Sequence, residues 1–129
     1  PHFELCMGGL PSWLWGAVLG RPTQFLPSKP QFYEEIFRIC SDPNYIVNAC
    51  SGGNNDKYKV ENVVQGHCYS ILSTIVNGGE RCIKMRNPWG RVEPHNKHTT
   101  MLSPSDDGIF YLTLRELTKY FPRIYYCRL

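Results

Sequence analysis

No apolar run in the 129-residue chain approaches the roughly 20 residues that a membrane-spanning helix needs. No basic, apolar, small-residue pattern of a secretory leader opens it. Dense runs of lysine and arginine are missing too, and the formal charge of +3 is scattered, which argues against a nucleic-acid partner. There is no Cys-x-x-Cys pair, which argues against a zinc ribbon. Internal repeats and low-complexity tracts are absent as well. The first residue is proline rather than methionine, so the expectation is a piece of something longer or a processed product.

What is present reads as globular: 42% hydrophobic and 13% aromatic residues can build a core. The length suits one domain spanning residues 1–129 and is too short for two comfortable ones. Six cysteines could form three disulfides. However, Cys40, Cys50, Cys68, Cys82 and Cys127 sit in apolar or strand-like segments, where free cysteine behaves as a small hydrophobe. The expectation is therefore reduced thiols and an intracellular, cytoplasmic setting.

Hydrophobic period and turn residues predict the elements. After the Gly8-Gly9 turn, Pro22, Pro27 and Pro30 predict an irregular extended connection. Ser28 and Gln31 have capping-box spacing before a helix whose apolar face carries Phe32, Ile36, Ile39 and Cys40. Ser41 to Asn44 stops it, and residues 45–50 predict a strand. Residues 51–65 read as a polar loop. Strands over 68–76 and 81–86 flank Asn77-Gly78-Gly79, which accepts the positive φ of a hairpin turn. Residues 88–107 read as a long connection and 109–112 as a strand. Thr113 and Glu116 have capping-box spacing for a short helix through Tyr120, stopped by Pro122, and 124–127 closes as a strand. Helices mixed with antiparallel strands make the expected class α+β, mostly antiparallel sheet with a few short helices.

The hairpin has a chemical consequence. His67 precedes its first strand and Asn87 follows its second, so antiparallel pairing brings both to the same edge. An imidazole held by a carboxamide is the base half of a thiol-protease triad, with the amide fixing tautomer and ring plane. Trp89 could cover that bond and keep water from competing for it. The plainer readings are a surface histidine, an ordinary Asn-Pro turn and a core tryptophan. His95 and His98 could pair on a metal, yet their loop lacks other spaced ligands, which favours surface histidines. Trp13 and Trp15 read as packing residues.

Gly66-His67-Cys68-Tyr69-Ser70, then Arg86-Asn87-Pro88-Trp89-Gly90, then Asp107-Gly108-Ile109-Phe110-Tyr111 resembles the calpain family of cysteine proteases. That family's pattern is Gly-His-Ala-Tyr-Ser, Arg-Asn-Pro-Trp-Gly and Asp-Gly-Glu-Phe-Trp in the same order. The Gly8-Gly9 pair and the closing 123–129 segment are similar too, so the resemblance covers essentially the whole chain. It implies the second half of a papain-like core, with His67 as general base, Asn87 as its orienter and Trp89 as shield. The family's nucleophile lies in the preceding half, within a Gln-…-Gly-Asp-Cys-Trp segment that this chain does not contain. Cys68 takes the place of a small alanine. The implied partners are therefore a thiol-bearing half and an extended polypeptide substrate.

The resemblance also implies a calcium site, with Glu93 and Asp107 at two acidic positions. Two features depart from the pattern: Ile109 replaces a glutamate, and Pro94 replaces the tryptophan after Glu93. The expected function is the histidine/asparagine half of an intracellular cysteine endopeptidase, inactive alone. The alternative is a non-catalytic pseudoprotease or interaction module that kept the fold.

Overall fold

The computed structural model describes residues 20–52, 59–60 and 62–129. The expectations for Gly8-Gly9, Trp13 and Trp15 lie outside these residues. The fold is α+β. Its strands are β1 (Gln24–Pro27), β2 (Tyr45–Cys50), β3 (Lys59–Val60), β4 (Val63–Val64), β5 (Cys68–Asn77), β6 (Glu80–Arg86), β7 (Ile109–Thr113) and β8 (Arg123–Arg128). Its helices are α1 (Tyr33–Ser41), α2 (Lys97–Leu102) and α3 (Leu114–Tyr120), with a 3-10 turn over Pro30–Phe32. Six strands form one antiparallel sheet in the order β1-β8-β2-β5-β6-β7, and β3 pairs with β4 separately.

One sheet face is apolar. Val47, Ala49, Tyr69, Ile83, Met85, Phe110, Leu112 and Ile124 share a core with Ile36 and Ile39 of α1 and Leu114 and Leu117 of α3. Each such side chain taken from water contributes about 1.5–3 kcal/mol, so this shared layer is the main stabilising feature. Helix α1 lays Ile36, Ile39 and Cys40 on that face and keeps Glu34, Glu35 and Arg38 outside. Its N-terminus differs from the expected capping box. Pro30 starts a 3-10 turn with Lys29 before it, and Ser28 instead gives its N–H to the Pro122 carbonyl. At α3 the capping box is complete: Thr113 Oγ1 accepts from Glu116 N, and the Glu116 carboxylate accepts from Thr113 N.

Three segments expected to be irregular or loop carry structure, and in the expected 51–65 loop it is the β3–β4 pair, with Lys59↔Val64 and Val60↔Val63 in register. The proline-flanked stretch forms β1 along the edge of β8. The long 88–107 connection holds α2, capped by Asn96, whose side-chain oxygen accepts from Thr99 N. Helix α2 covers the free edge of β7. Thr99 Oγ1 accepts from Tyr111 N, and Asn96 Nδ2 donates to Tyr111 O. An exposed strand edge invites pairing with another chain, and these side chains occupy its groups at Tyr111. Among the described residues no helix is long and apolar enough to cross a membrane.

The cysteine expectation is corrected in part. Cys50 and Cys68 are joined in a disulfide, while Cys40, Cys82 and Cys127 are free and buried. The reason is register. Cys50 and Cys68 are direct partners across β2 and β5, with Cα atoms 4.1 Å apart. Apolar setting marked each as a small hydrophobe, and only strand pairing could show that they face each other.

Candidate functional site

The β5–β6 hairpin turns through Gly78 and Gly79, both at positive φ (61° and 80°), as a tight two-residue hairpin requires. Its open end carries the site. Seven register pairs, from Ser70↔Arg86 to Asn77↔Glu80, hold the strands together, with one bulge between Ile71 and Ser73. His67 enters β5 and Asn87 leaves β6, and His67 Nε2 lies 2.9 Å from Asn87 Oδ1.

The direction of that hydrogen bond follows from the rest of the Asn87 side chain. Its Nδ2 donates to the carbonyls of Arg91 (2.8 Å) and Val92 (2.9 Å). Its Oδ1 also accepts from Trp89 N at 3.1 Å. Turning the amide over would face its N–H groups to the Trp89 N–H and its oxygen to two carbonyls. The oxygen therefore faces the imidazole, and His67 Nε2 carries the proton. Nδ1 is then the basic ring nitrogen. Asn87 is fully buried, and both of its donors and both oxygen lone pairs are used. The loop that receives it is strained at Val92, a β-branched residue at φ 60°.

The imidazole is enclosed on two sides. Trp89 lies with its ring centroid 4.7 Å from that of His67, and Tyr69 meets it edge-on at 4.9 Å. His67 is 9% exposed, whereas Trp89 is 44% exposed. The tryptophan is thus a cover at the surface rather than a core residue. Tyr69 was not foreseen as a site residue. It is fully buried, its hydroxyl accepts from Val64 N at 3.0 Å, and burial pushes its pKa up. A neutral phenol ring is therefore a fixed wall of the site.

Behind Asn87 lies the Asp107-Gly108 turn. Asn87 N donates to Gly108 O at 2.8 Å. Gly108 has φ +85°, and a Cβ there would stand 2.9 Å from both Asn87 O and Gly90 Cα. No side chain fits between these two loops. Glu93 closes the arrangement: it is buried, and its Oε2 accepts from Gly108 N at 2.9 Å. Burial raises its pKa, and the charges of Asp107 and Asp106 add to that. Its Oε1 has no hydrogen-bond partner among the described residues. Asp107 is exposed, and its Oδ1 accepts from Ile109 N. Glu93 Oε1 could supply one of the six to eight oxygens that a hard cation needs. Among the described residues no group of three or more His, Cys, Asp or Glu side chains could hold a metal.

His95 and His98 do not come together as ligands. His95 is exposed, whereas His98 is buried at the far end of the hairpin, 2.9 Å from Asn77 Nδ2. The surface reading thus fails for His98. Helix α2 carries it inward, which was not foreseeable while that segment read as a loop.

The chain matches no protein-family model. It is similar to several curated proteins. It is 30% identical over 100 residues to Calpain-type cysteine protease DEK1 of Zea mays, covering 65% of this chain. It is 29% identical over 114 residues to Calpain-type cysteine protease DEK1 of Arabidopsis thaliana, covering 76% of this chain. To Calpain-14 of Homo sapiens it is 27% identical over 105 residues, covering 67% of this chain. The chain is homologous to calpain-type cysteine proteases. It spans only 5% of the two plant proteins and 15% of the human one.

Proposed function

We propose that this chain is the histidine/asparagine half of a calpain-like cysteine endopeptidase core, with residues 1–129 forming its second subdomain. The observation that carries the reading is the His67–Asn87 pair, buried and covered by Trp89, with the amide fully satisfied. A thiol-bearing half outside this chain would supply the nucleophile. Among the described residues no cysteine fits that role: Cys68 is bonded to Cys50, and Cys40, Cys82 and Cys127 are buried. Burial pushes the Cys40 thiol up to about 12, so it stays protonated and inert.

In this mechanism His67 Nδ1 takes the thiol proton, and the resulting imidazolium holds the sulfur as thiolate. The sulfur attacks the peptide carbonyl carbon, and the carbon–sulfur bond forms. Imidazolium returns its proton to the departing amine as the carbon–nitrogen bond breaks. A water then attacks the acyl-enzyme, losing its proton to the same nitrogen, and the thiol is released. Asn87 keeps the ring plane and the Nε2 proton in place throughout. Trp89 keeps water away from the Nε2–Oδ1 bond, which a low dielectric strengthens. Calcium, where bound, would be held by Glu93 and Asp107 and would neutralise the acidic turn behind Asn87.

The substrate class is extended polypeptide lying across the cleft between the halves. An intracellular, cytoplasmic setting remains part of the proposal. It must accommodate the Cys50–Cys68 bond, because reducing compartments keep thiols apart. The alternative is a non-catalytic pseudoprotease or interaction module that kept the fold. Alkylation of the nucleophilic cysteine in the joined core tests the proposal. With His67 present, the thiol reacts as thiolate far below the free-cysteine pKa of about 8.5, and His67→Ala returns it to that value. An unchanged alkylation profile would overturn the assignment.

A further inference from the structure

Ser51 follows the last residue of β2 and is buried, at 2% exposed. It stands opposite His67, one step beyond the Cys50↔Cys68 pair. In a regular antiparallel ladder two such residues exchange both backbone hydrogen bonds. Here only one is regular: Ser51 N donates to His67 O at 2.9 Å. The Ser51 carbonyl is taken by the Arg123 guanidinium at 3.1 Å. The His67 N–H instead donates to Ser51 Oγ at 3.0 Å. That hydroxyl in turn donates to the Val64 carbonyl, at the end of β4.

The Ser51 hydroxyl thus does what a main-chain carbonyl would do elsewhere, and it also ties in the segment before Gly66. Gly66 itself has φ 62° and donates from N to Gly52 O, so the chain turns sharply just ahead of the histidine. A sharp turn feeding the first residue of a strand leaves that residue's N–H without a ladder partner unless a side chain accepts it. On the other side of the same pair, the Cys50–Cys68 bond holds the two strands in register. The imidazole is therefore fixed at both ends: Asn87 holds the ring and Ser51 holds the backbone.

We propose that Ser51 is a positioning residue for His67, setting where the imidazole stands relative to an incoming thiol. The inference rests on the reading of His67 as the general base. A shift of about 1 Å in such a group costs on the order of 100-fold in rate without loss of substrate binding. Alanine removes both the acceptor for His67 N and the donor for Val64 O, while threonine retains the hydroxyl.

The wild-type chain gives the first test, by amide hydrogen exchange. The His67 amide is expected to be protected within about tenfold of the Ala49 amide in the sheet centre. Exchange of the His67 amide at an unprotected rate overturns the proposal. The second test compares Ser51→Ala and Ser51→Thr. In Ser51→Ala the His67 ring N–H, followed by NMR, should exchange at least about tenfold faster. In the joined core kcat should fall about 100-fold with KM within about twofold, and Ser51→Thr should restore both. Wild-type ring exchange in a folded Ser51→Ala, or an equal loss in Ser51→Thr, contradicts the proposal. Should Ser51→Ala not fold, the wild-type exchange and the Ser51→Thr kinetics decide. If His67→Ala leaves activity unchanged, the general-base reading falls, while the exchange measurements still decide separately whether Ser51 holds the His67 backbone.

Discussion

His67 Nε2 and Asn87 Oδ1 stand 2.9 Å apart although twenty residues separate them in sequence. The two-residue turn at Gly78-Gly79 and the β5–β6 register bring them together, and four hydrogen bonds fix the amide. Asn87→Ala would leave the Arg91 and Val92 carbonyls and the Trp89 N–H without partners in a buried site. The expected loss is about 3 kcal/mol or more, since each unsatisfied buried group costs about 1–3 kcal/mol. Urea unfolding measures it. Asn87→Asp should recover little, because it cannot donate to the two carbonyls.

Gly108 gives a sharper test of the loop contact. Its φ of +85° and the 2.9 Å approach to Asn87 O leave no room for a methyl group. Gly108→Ala is expected to cost about 1–3 kcal/mol from backbone conformation and to perturb the His67 ring signals as well. A thermal shift with unchanged His67 signals would separate fold stability from site geometry.

The Cys50–Cys68 bond closes a loop of sequence separation 18. Chain-entropy arguments put its contribution near about 3 kcal/mol. Unfolding with and without reductant should differ by about that amount, and thiol counting under denaturing conditions should find the pair oxidised in protein kept from reductant. Equal stability in both conditions would show that the bond does not constrain the unfolded chain.

Glu93 sets a pH dependence. Burial raises its pKa in the folded state above the unfolded value. The folded protein therefore binds the proton more tightly, so this group's stabilisation is present at low pH and fades as pH rises through the folded pKa. Glu93→Gln should remove that decline and leave stability at neutral pH unchanged or higher. Calcium, if it occupies this turn, should raise the unfolding midpoint of wild type at neutral pH and not that of Glu93→Gln.

Much of this was legible in the sequence where a short local rule decided the outcome. Asn77-Gly78-Gly79 favours a tight turn, and Thr113 with Glu116 forms a cap within four residues. The His67–Asn87 meeting followed from the hairpin alone. What was missed needed partners from afar. Strand β1 exists because β8 offers an edge, despite Pro27. Helix α2 has no strong apolar period, and its signal was the single N-cap Asn96. The disulfide required knowing which residues of β2 and β5 face each other. Ser51 looked like the start of a polar loop, and its role emerges only once the Arg123 side chain takes its carbonyl.

The most direct test joins this chain to a thiol-bearing half and compares peptidase kcat/KM in wild type and His67→Ala. If His67 is the general base, the variant should fall at least about 1,000-fold while still binding an extended peptide. Equal rates in the two proteins would contradict the account.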